Sequence, residues 1–308
     1  MIAADCQLCG SFFSCALVCR FTISTSFRAA HLSKNLRSAL RKCVSTSLRS
    51  TSLHSRFYSL FSEEDDNMSG IISSTNGIDV AAMRKPYKEG HESFEEGDLV
   101  AKKPMAQFAA WFKDATELKS VGEPNAMTVA TASKEGRPSA RILLMKGYDE
   151  KGFKFFTNYE SRKGQELREN PYVALCWYWE PLSRSVRVEG RVERLSEDES
   201  TEYFHSRPPA SQIGAVVSNQ SRVIENRAVL TSKDEALKEK YLNTGVTIPK
   251  PNYWGGFRVI PEVVEFWQGQ SNRLHDRIVF RRPKQDEVID NKLVYQGEDG
   301  WVYERLSP

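Results

Sequence analysis

Three side chains able to carry positive charge stand at every second position of one short segment, FWQGQSNRLHDRIVFRR at residues 266–282. Arg273, His275 and Arg277 lead into a β-branched and aromatic run, which predicts a strand. Alternate residues of a strand share a face, so the three side chains would point the same way. Burying such a face without a partner is costly. The pattern therefore indicates either a solvated strand face or a site for an anion or a polarised ring.

A second concentration of positive charge lies in the segment SRKG at residues 161–164, where a predicted strand gives way to a short helix. The free backbone amides of a helix N-terminus, together with the adjacent Arg162 and Lys163, form a natural phosphate site. The alternative is a helix N-cap followed by two solvated cations. Both interpretations stay open at this stage.

Tyr203, Arg207 and Ser211 recur at intervals of four after a helix-capping motif. On one continuous helix they would line a single face, but Pro208 and Pro209 must break that helix. An arginine beside two hydroxyl groups is a set of side chains that suits a phosphate group. These residues therefore predict part of a pocket for a phosphorylated small molecule.

Two further pairs of polar residues are candidates for the same chemistry. Arg141 and Lys146 flank the apolar run ILLM, but their odd spacing places them on opposite faces of a regular strand. Gln220 and Ser221 follow an apolar turn. The sequence contains no Gly-rich nucleotide fingerprint, Walker loop or zinc-protease motif. The residue types thus predict one or two phosphate pockets and go no further by themselves.

The composition excludes several classes of protein. The 308 residues are 40% hydrophobic and 27% charged, as is typical of soluble globular proteins. No apolar stretch approaches the roughly 18 residues of a membrane span. Beyond residue 62 the chain holds 35 basic and 39 acidic residues, and this mildly acidic body argues against a nucleic-acid binder. Five of the six cysteines lie in the first 43 residues, which argues against a disulfide-stapled domain.

The first 62 residues differ from the rest, with eight basic residues and a single acidic one among many serines. This composition is typical of an organelle transit peptide, above all a mitochondrial one. A secretory signal is disfavoured by Asp5, and plain disorder with Met68 as an alternative start would leave the protein in the cytosol. We interpret residues 1–62 as a targeting or disordered segment, residues 63–100 as a linker and substrate lid, and residues 101–308 as one folded domain.

The order of predicted elements points to a barrel. Pro104 opens a helix with one apolar stripe. Capping boxes predict further helices beginning near Ser196 and Ser232. Short strands are predicted at residues 126–133, 139–148, 153–158, 172–179, 185–195, 253–260 and 263–268, then around 294 and at 302–306. The prediction is a mainly β fold of the α+β class, a closed β-barrel with peripheral helices.

Long stretches of the chain resemble the pyridoxamine/pyridoxine 5′-phosphate oxidase family, namely RILLMKGY, FFTNYESRKG, YFHSRPPASQIGAVVSNQS, WGGFRV, EFWQGQSNRLHDR and the final ERLSP. The resemblance covers residues 84–308. It implies a split β-barrel of Greek-key type that forms a homodimer through residues 253–308 and binds FMN at the subunit interface. It also implies oxidation of pyridoxamine or pyridoxine 5′-phosphate to pyridoxal 5′-phosphate in vitamin B6 metabolism, with oxygen reduced to hydrogen peroxide.

The resemblance implies a role for each matching residue. The FMN-binding set is Arg141, Ile142, Leu143, Leu144, Lys146, Phe156, Thr157, Arg162, Lys163, Gln220, Ser221, Trp267 and Arg277. Ser185 stands where the family usually has a glutamine that contacts FMN. The substrate-binding set is Lys146, Tyr203, Arg207 and Ser211 at the phosphate, Arg273, Leu274 and His275 at the pyridine ring, and Arg84, Lys85, Pro86 and Tyr87 as a lid. Within it, Arg273 and His275 are the expected catalytic residues, and no metal is expected.

These expected roles explain why Arg273, His275 and Arg277 stand at every second position of residues 266–282. Arg277 would face the flavin, while Arg273 and His275 would face the substrate. Two other functions stay open: a noncatalytic flavin or pyridoxal-phosphate carrier, and a split-barrel flavin reductase. A carrier has no need of the ring-facing pair in RLHDR, and a reductase has no need of a substrate phosphate pocket. The oxidase is therefore the favoured prediction.

Overall fold

The computed structural model describes residues 82–83, 85–87, 93–242 and 244–308. The predicted targeting segment 1–62, most of the linker and Arg84 lie outside the described residues. Residues from Lys85 onward belong to one compact unit. In the part of the chain that is described, no helix is long and apolar enough to cross a membrane.

The first long helix, α1 (Pro104–Glu117), forms as its sequence predicts. Proline is at its first position, where a backbone N–H would have no acceptor within the helix, so its absence there breaks no helix hydrogen bond. One stripe of the helix, which includes Met105, Phe108 and Trp111, is buried. Phe108 packs against Phe153 with the ring centroids 4.8 Å apart. This stripe thereby closes one side of the barrel core.

In the described residues, ten strands make one antiparallel sheet in which β1, β5, β6, β7 and β8 are successive neighbours. The strands are β1 (Ala126–Ala132), β2 (Pro138–Leu144), β3 (Gly147–Asp149), β4 (Gly152–Asn158), β5 (Tyr172–Trp179), β6 (Arg184–Arg194), β7 (Trp254–Gln268), β8 (Asp276–Arg281), β9 (Tyr295–Gln296) and β10 (Val302–Arg305). Strand β7 pairs with β6 along one edge, and with β4 and then β8 along the other. Because β7 changes its neighbour from β4 to β8 along this edge, the sheet can curve into the predicted barrel.

Strand β7 corrects one boundary predicted from sequence. Two strands separated near Pro261 were expected, because proline cannot donate a ladder hydrogen bond. The structure has one continuous strand, since the register with β6 shifts between Glu189 and Gly190. Gly190 pairs with Pro261, and the next pair, Glu189 with Val263, skips one residue of β7. The bulge absorbs the proline without ending the strand.

Four further α-helices of the described part of the chain lie outside the sheet: α2 (Arg162–Glu169), α3 (Glu197–Ser206), α4 (Pro209–Val217) and α5 (Ala228–Tyr241). Ser196 caps α3 as predicted, its Oγ accepting the Glu199 N–H at 3.1 Å. The second capping box was wrong, because α5 begins at Ala228 and Ser232 lies inside it. The helix already begins one turn before Ser232, and Asn226 Oδ1 accepts the N–H of its first residue, Ala228, at 2.9 Å.

A second, smaller core holds α3 and α4 against the start of β7. Its buried members are Phe204, Ile213, Val217, Ile248 and Trp254. Apolar residues from both helices and from the strand therefore share one cluster. This packing places the ends of α3 and α4 beside β4 and β7, where the polar candidates of the sequence converge.

Candidate active site

A cavity of about 440 Å³ opens where α3 and α4 meet the sheet. Its lining includes predicted site residues from four separate parts of the sequence: Leu143, Leu144, Lys146, Phe156, Thr157, Tyr203, Arg207, Ser211 and Gln220. It also includes the aromatic Trp254 and four residues that were not among the predicted ones: Asn158, Gly214, Ala215 and Ser218. The cavity thus unites Lys146, Arg207 and Gln220, which spacing alone left apart. The candidates Arg141, Arg162 and Lys163 are not part of its lining.

Arg207 lies at the break between α3 and α4. It is the C-cap of α3, and Pro208 begins the turn into α4, which carries Ser211 into the same cavity. The guanidinium lies over the Trp254 ring, with 4.8 Å from Cζ to the centroid. Its Nη1 is buried and has no hydrogen-bond partner among the described residues. A buried donor of this kind is rare in a folded protein, and it indicates a position for an anion.

Aromatic rings form one wall of this cavity. Phe156 and Tyr203 stack with their centroids 3.9 Å apart, and Trp254 lies parallel to Phe156 at 5.5 Å. Burial raises the pKa of the Tyr203 hydroxyl, although the charge of Arg207 opposes the shift. Tyr203 therefore stays a neutral hydroxyl that can donate a hydrogen bond to a ligand.

Lys163 is a buried cation beside the cavity. Ser161 caps α2, as the phosphate-site and the N-cap interpretations both require, and this cap sets the start of the helix that carries Lys163. Lys163 Nζ donates to Gln220 Oε1 at 2.7 Å, Thr157 Oγ1 at 3.1 Å and Ser161 Oγ at 3.3 Å. All three acceptors are neutral oxygens. Burial, with the charge of Arg141, lowers the pKa of Lys163 to about 8.

Arg141 is held on the same side of the barrel by the β1–β2 hairpin. Its Nη1 donates to Thr131 Oγ1 at 2.6 Å and to the Val129 carbonyl at 3.0 Å. Its Nη2 donates to Ser139 Oγ at 2.6 Å. Beneath this fork lies Glu166, a buried carboxylate that was not among the predicted site residues. Its position four residues after Arg162 on a helix is the one signal that could have indicated it.

The remaining flavin candidates near this region are placed by strand ends and turns. Leu143 and Leu144 line the cavity, whereas Ile142 is 64% exposed on β2. Ser221 adopts a left-handed φ of 71°, which is uncommon for a residue with a side chain. We call the polar group around the cavity the phosphate cluster: Arg141, Lys146, Thr157, Arg162, Lys163, Tyr203, Arg207, Ser211 and Gln220.

A second group of predicted residues forms a row across the sheet. Ser185 on β6 pairs with Trp267 on β7, which pairs in turn with Arg277 on β8. Ser185 Oγ donates to the Trp177 carbonyl at 2.9 Å, so its hydroxyl is engaged within the sheet. Directly paired residues of neighbouring strands share a face, and the three side chains are therefore adjacent.

Arg277 is anchored by a carboxylate and by the end of the chain. It donates to both oxygens of Glu265, from Nε at 3.0 Å and from Nη2 at 3.2 Å, and from Nη1 to the Ser307 carbonyl at 2.9 Å. Arg187 Nη2 reaches the same carboxylate at 2.6 Å. Burial disfavours the Glu265 carboxylate, but these two guanidinium groups outweigh it and lower its pKa. Sequence reasoning missed Glu265, because its partners lie on other strands.

The turn before β8 corrects the prediction that Arg273, His275 and Arg277 share one strand face. Strand β8 begins at Asp276, so only Arg277 lies on it. Arg273 has a left-handed φ of 69°, and its N–H donates to the Gln270 carbonyl at 3.2 Å. A left-handed residue ends the two-residue period of a strand. The relative positions of the three side chains therefore depend on the turn and not on strand alternation.

His275 is held in a defined orientation by this turn. Its Nδ1 accepts the Gln270 N–H at 3.0 Å, so the neutral ring carries its proton on Nε2. The ring centroid lies 4.9 Å from that of Trp267. Burial, followed by the charge of Arg273, lowers the pKa of His275, while Asp276 opposes the shift. The imidazole is thus a neutral hydrogen-bond donor at Nε2.

The predicted lid, as far as it is described, lies on the second group. Tyr87 contacts the rings of His275 and Trp267 edge-on, at 5.6 and 5.8 Å between centroids. Its carbonyl accepts Ser271 Oγ at 2.7 Å, and Lys85 pairs with Glu180 at 2.5 Å. Pro86 and Leu274 are exposed, and Arg84 lies outside the described residues. We call this second group the ring cluster: Tyr87, Ser185, Trp267, Arg273, His275 and Arg277.

The two clusters are separate within one chain. Throughout the described residues, no hydrogen bond, ion pair or ring contact joins a side chain of the phosphate cluster to one of the ring cluster. In the same residues no group of three or more His, Cys, Asp or Glu side chains is placed to hold a metal ion. The side chains of the phosphate cluster can bind an anion, and those of the ring cluster can contact a polarised ring.

Two family models match this chain. A family model described as pyridoxamine 5′-phosphate oxidase matches residues 114–240, and one described as the pyridoxine 5′-phosphate oxidase C-terminal dimerisation region matches residues 254–308. The chain is 57% identical over 231 residues to a pyridoxine/pyridoxamine 5′-phosphate oxidase of Bombyx mori, covering 75% of this chain and 90% of that protein.

Two further similarities extend this result. A pyridoxine-5′-phosphate oxidase of Bos taurus is 53% identical over 240 residues, which cover 77% of this chain and 91% of that protein. The crystal structure of PhzG from Burkholderia lata 383 in complex with tetrahydrophenazine-1-carboxylic acid is 28% identical, with a TM-score of 0.61. It covers 70% of this chain and 97% of that one.

Proposed function

The chain belongs to the pyridoxamine 5′-phosphate oxidase family, and from this premise we propose that it converts pyridoxamine 5′-phosphate and pyridoxine 5′-phosphate into pyridoxal 5′-phosphate. It is then an oxidoreductase of vitamin B6 metabolism that works with a flavin. The finer parts of the proposal are that the flavin is FMN, that oxygen accepts the two electrons removed from the substrate carbon, and that hydrogen peroxide is released.

The observation that carries the proposal is the buried, unpartnered Nη1 of Arg207. It lies in a cavity with Lys146, Tyr203 and Ser211, which together offer one forked cation, one point charge and two hydroxyl groups. A phosphate monoester is the ligand that uses such a set, because it carries up to two negative charges and several acceptor oxygens. We assign the substrate phosphate to this place.

The donor set around Lys163 fits the phosphate of FMN. A buried ammonium whose partners are neutral oxygens gains from an anion, and Arg141 and Arg162 add two further cations nearby. FMN supplies a ring that accepts two electrons from the substrate. Arg277 would place its guanidinium against that ring, and Glu265 keeps the guanidinium in one orientation.

The ring cluster provides the groups that orient the substrate. Nε2 of His275 presents an N–H, and Arg273 presents a guanidinium from the neighbouring turn. Tyr87 lies against the His275 ring and shields it from water on one side. These residues bind and orient the substrate ring, so we propose that their effect appears in turnover and not in flavin binding.

We further propose that one active site is built from two subunits. The phosphate cluster and the ring cluster make no contact with each other in the described part of one chain, yet the reaction needs both. A C-terminal dimerisation region matches residues 254–308, which carry most of the ring cluster. A twofold dimer brings the ring cluster of one subunit to the phosphate cluster of its partner, and vice versa.

Purified protein tests the proposal directly. We expect flavin absorbance, bound FMN on extraction, and hydrogen peroxide when pyridoxamine 5′-phosphate is added in air. Arg207→Met should raise KM for the substrate about tenfold to a hundredfold and leave the flavin bound, since one charge-assisted contact is lost. Flavin without peroxide formation would identify a carrier. Reduction of free flavin by a nicotinamide, without turnover of the B6 vitamers, would identify a reductase.

A further inference from the structure

One buried carboxylate connects two of the cations in the phosphate cluster. Glu166 lies on the inner face of α2 and is 6% exposed. Its Oε1 accepts Arg162 Nε at 2.8 Å, and its Oε2 lies 3.6 Å from Arg141 Nη2. Arg141 comes from strand β2 and Arg162 from helix α2, so Glu166 ties the two guanidinium groups to each other across a strand–helix contact.

Two hydroxyl groups complete the surroundings of this carboxylate. Thr131 Oγ1 and Ser139 Oγ donate to Glu166 Oε2 at 2.5 and 2.7 Å. The same two hydroxyl oxygens accept Nη1 and Nη2 of Arg141 at 2.6 Å each. Both terminal nitrogens of the Arg141 guanidinium therefore donate to hydroxyl groups that are in turn oriented by their hydrogen bonds to Glu166.

Glu166 is a carboxylate at every pH at which the protein would work. Burial disfavours its charge, but hydrogen bonds from Ser139, Thr131 and Arg162 outweigh burial and lower its pKa to about 2. With Arg141, Arg162 and Lys163 protonated, the group carries a formal charge of +2. That value matches a phosphate monoester, which carries about −1.5 to −2 at neutral pH.

We propose that Glu166 is a positioning residue for the FMN phosphate: it fixes the Arg141 and Arg162 guanidinium groups in the orientation in which they bind that phosphate. The inference rests on the proposed function, since it takes the phosphate cluster to be the FMN site. It goes beyond that function in assigning a role to a residue that touches neither flavin nor substrate.

Charge alone predicts the opposite effect, which makes the inference testable. A carboxylate near a phosphate repels it, so removing the negative charge should strengthen FMN binding if orientation is unimportant. If orientation dominates, Glu166→Gln should weaken FMN binding. The glutamine amide keeps one acceptor oxygen, but its NH₂ group meets the donors that the second carboxylate oxygen had accepted.

The experiment compares FMN with riboflavin, which has the same ring and no phosphate. Dissociation constants for both are measured by flavin fluorescence on apoprotein of the wild type, Glu166→Gln and Glu169→Gln. Glu169 is the exposed last residue of the same helix and is the matched control. We expect Glu166→Gln to reduce the preference for FMN over riboflavin by about tenfold or more, the loss of one charge-assisted contact. The control should keep the wild-type preference.

Each other outcome has a defined meaning. Equal weakening of both ligands, with the preference unchanged, would show a structural role only and overturn the inference. A stronger preference for FMN would show that repulsion dominates and overturn it as well. Failure of the wild type to bind FMN at all would instead overturn the proposed function.

A second variant covers the case in which Glu166→Gln does not fold. Ser139→Ala removes one donor to Glu166 and one acceptor of Arg141 at a half-buried position. It should lower the preference for FMN in the same direction by a smaller factor. Inorganic phosphate titrated into apoprotein, followed by the rise in Tm, gives the same comparison without the ring. An unchanged response of the Ser139→Ala protein to both probes would contradict the proposal.

Discussion

Arg273 is a residue whose backbone indicates its importance. A left-handed φ of 69° at a residue with a long side chain costs on the order of 1 kcal/mol, and such strain is concentrated at functional sites. The turn keeps this conformation because Gln270 accepts the Arg273 N–H and donates its own N–H to His275. Two side chains of the ring cluster are thus oriented by one turn.

Substitution of the two arginines of the ring cluster should have different effects, on turnover for Arg273 and on flavin binding for Arg277. Arg273→Met should keep flavin bound and lower kcat/KM on pyridoxamine 5′-phosphate about tenfold to a hundredfold, and His275→Asn should resemble it. Arg277→Met should chiefly weaken FMN, because this guanidinium lies beside Trp267 in the sheet. Flavin titration and steady-state kinetics on the three proteins make the comparison. Loss of flavin in Arg273→Met, with retention in Arg277→Met, would reverse the two roles.

Lys163 should make the affinity for FMN depend on pH. Its pKa in the free protein is lowered to about 8, and a bound phosphate dianion raises that value because it stabilises the ammonium. Above about pH 8, binding must therefore take up a proton, and affinity falls by up to about tenfold per pH unit. Below that pH Lys163 is already protonated, and FMN affinity does not change with pH on its account. Dissociation constants from about pH 7 to about pH 9.5 should show this profile, and Lys163→Met should abolish it.

At the scale of elements, helix α2 depends on the absence of a side chain at Gly164. A Cβ placed there would lie 2.2 Å from the Tyr159 carbonyl oxygen and 2.7 Å from Tyr159 Cα. These are backbone atoms, which cannot turn aside as a flexible side chain can. The glycine of the SRKG segment therefore lets α2 approach the end of β4, and that approach sets the positions of Arg162 and Lys163.

Gly164→Ala should displace the whole helix. We expect a loss of about 1–3 kcal/mol in the free energy of unfolding, as in other overpacked sites, together with weaker FMN binding. Gly214→Ala in α4 is the matched control, since no heavy atom lies within 4 Å of the added methyl. That change should be neutral or stabilise the protein by up to about 1 kcal/mol. Urea denaturation of both proteins measures the difference, and equal stabilities would refute the packing account.

At the scale of the whole molecule, a site shared between subunits predicts complementation. Arg207→Met changes the phosphate cluster, and Arg273→Met changes the ring cluster. In a mixed dimer one site receives both changes and the other receives neither, so about half of the sites of the purified mixed dimer should be restored. Co-expression of the two variants with different affinity tags, followed by activity of the doubly purified dimer, tests this expectation. Activity no higher than that of the two parents would place each site within one chain.

The first 62 residues should be dispensable for catalysis. They lie outside both family-model matches, and their composition lacks a core-forming pattern. A protein beginning at residue 63 should bind FMN and turn over substrate within about twofold of the full chain, well inside the effect of a single lost contact. We propose that residues 1–62 direct the protein to mitochondria, and fusion to a fluorescent reporter examines that proposal separately. A truncated protein without flavin would contradict the assignment to targeting.

Local sequence determined most of the elements, because their signals act over a few residues. The apolar stripe and initial proline of α1, the Ser196 cap of α3 and the exact span of β5 all follow from neighbours in the chain. The long motifs likewise indicated the family before any contact was known. The predictions that failed at Pro261 and Ser232 are places where a bulge in the pairing of β7 with β6 and an earlier start of α5 replaced the local signal.

Only the tertiary structure decided which charged groups act together. Glu265 has no sequence signature beyond being acidic, and Glu166 has only its spacing of four from Arg162. Both contact guanidinium groups on other elements, which the sequence did not indicate. Arg273 and His275 come together through a left-handed turn, not through the strand that their spacing suggested. The physical reason is common to all of these: pairing register, helix docking and burial set the distance between residues far apart in sequence, and those distances determine which charges hold an anion and which hold each other.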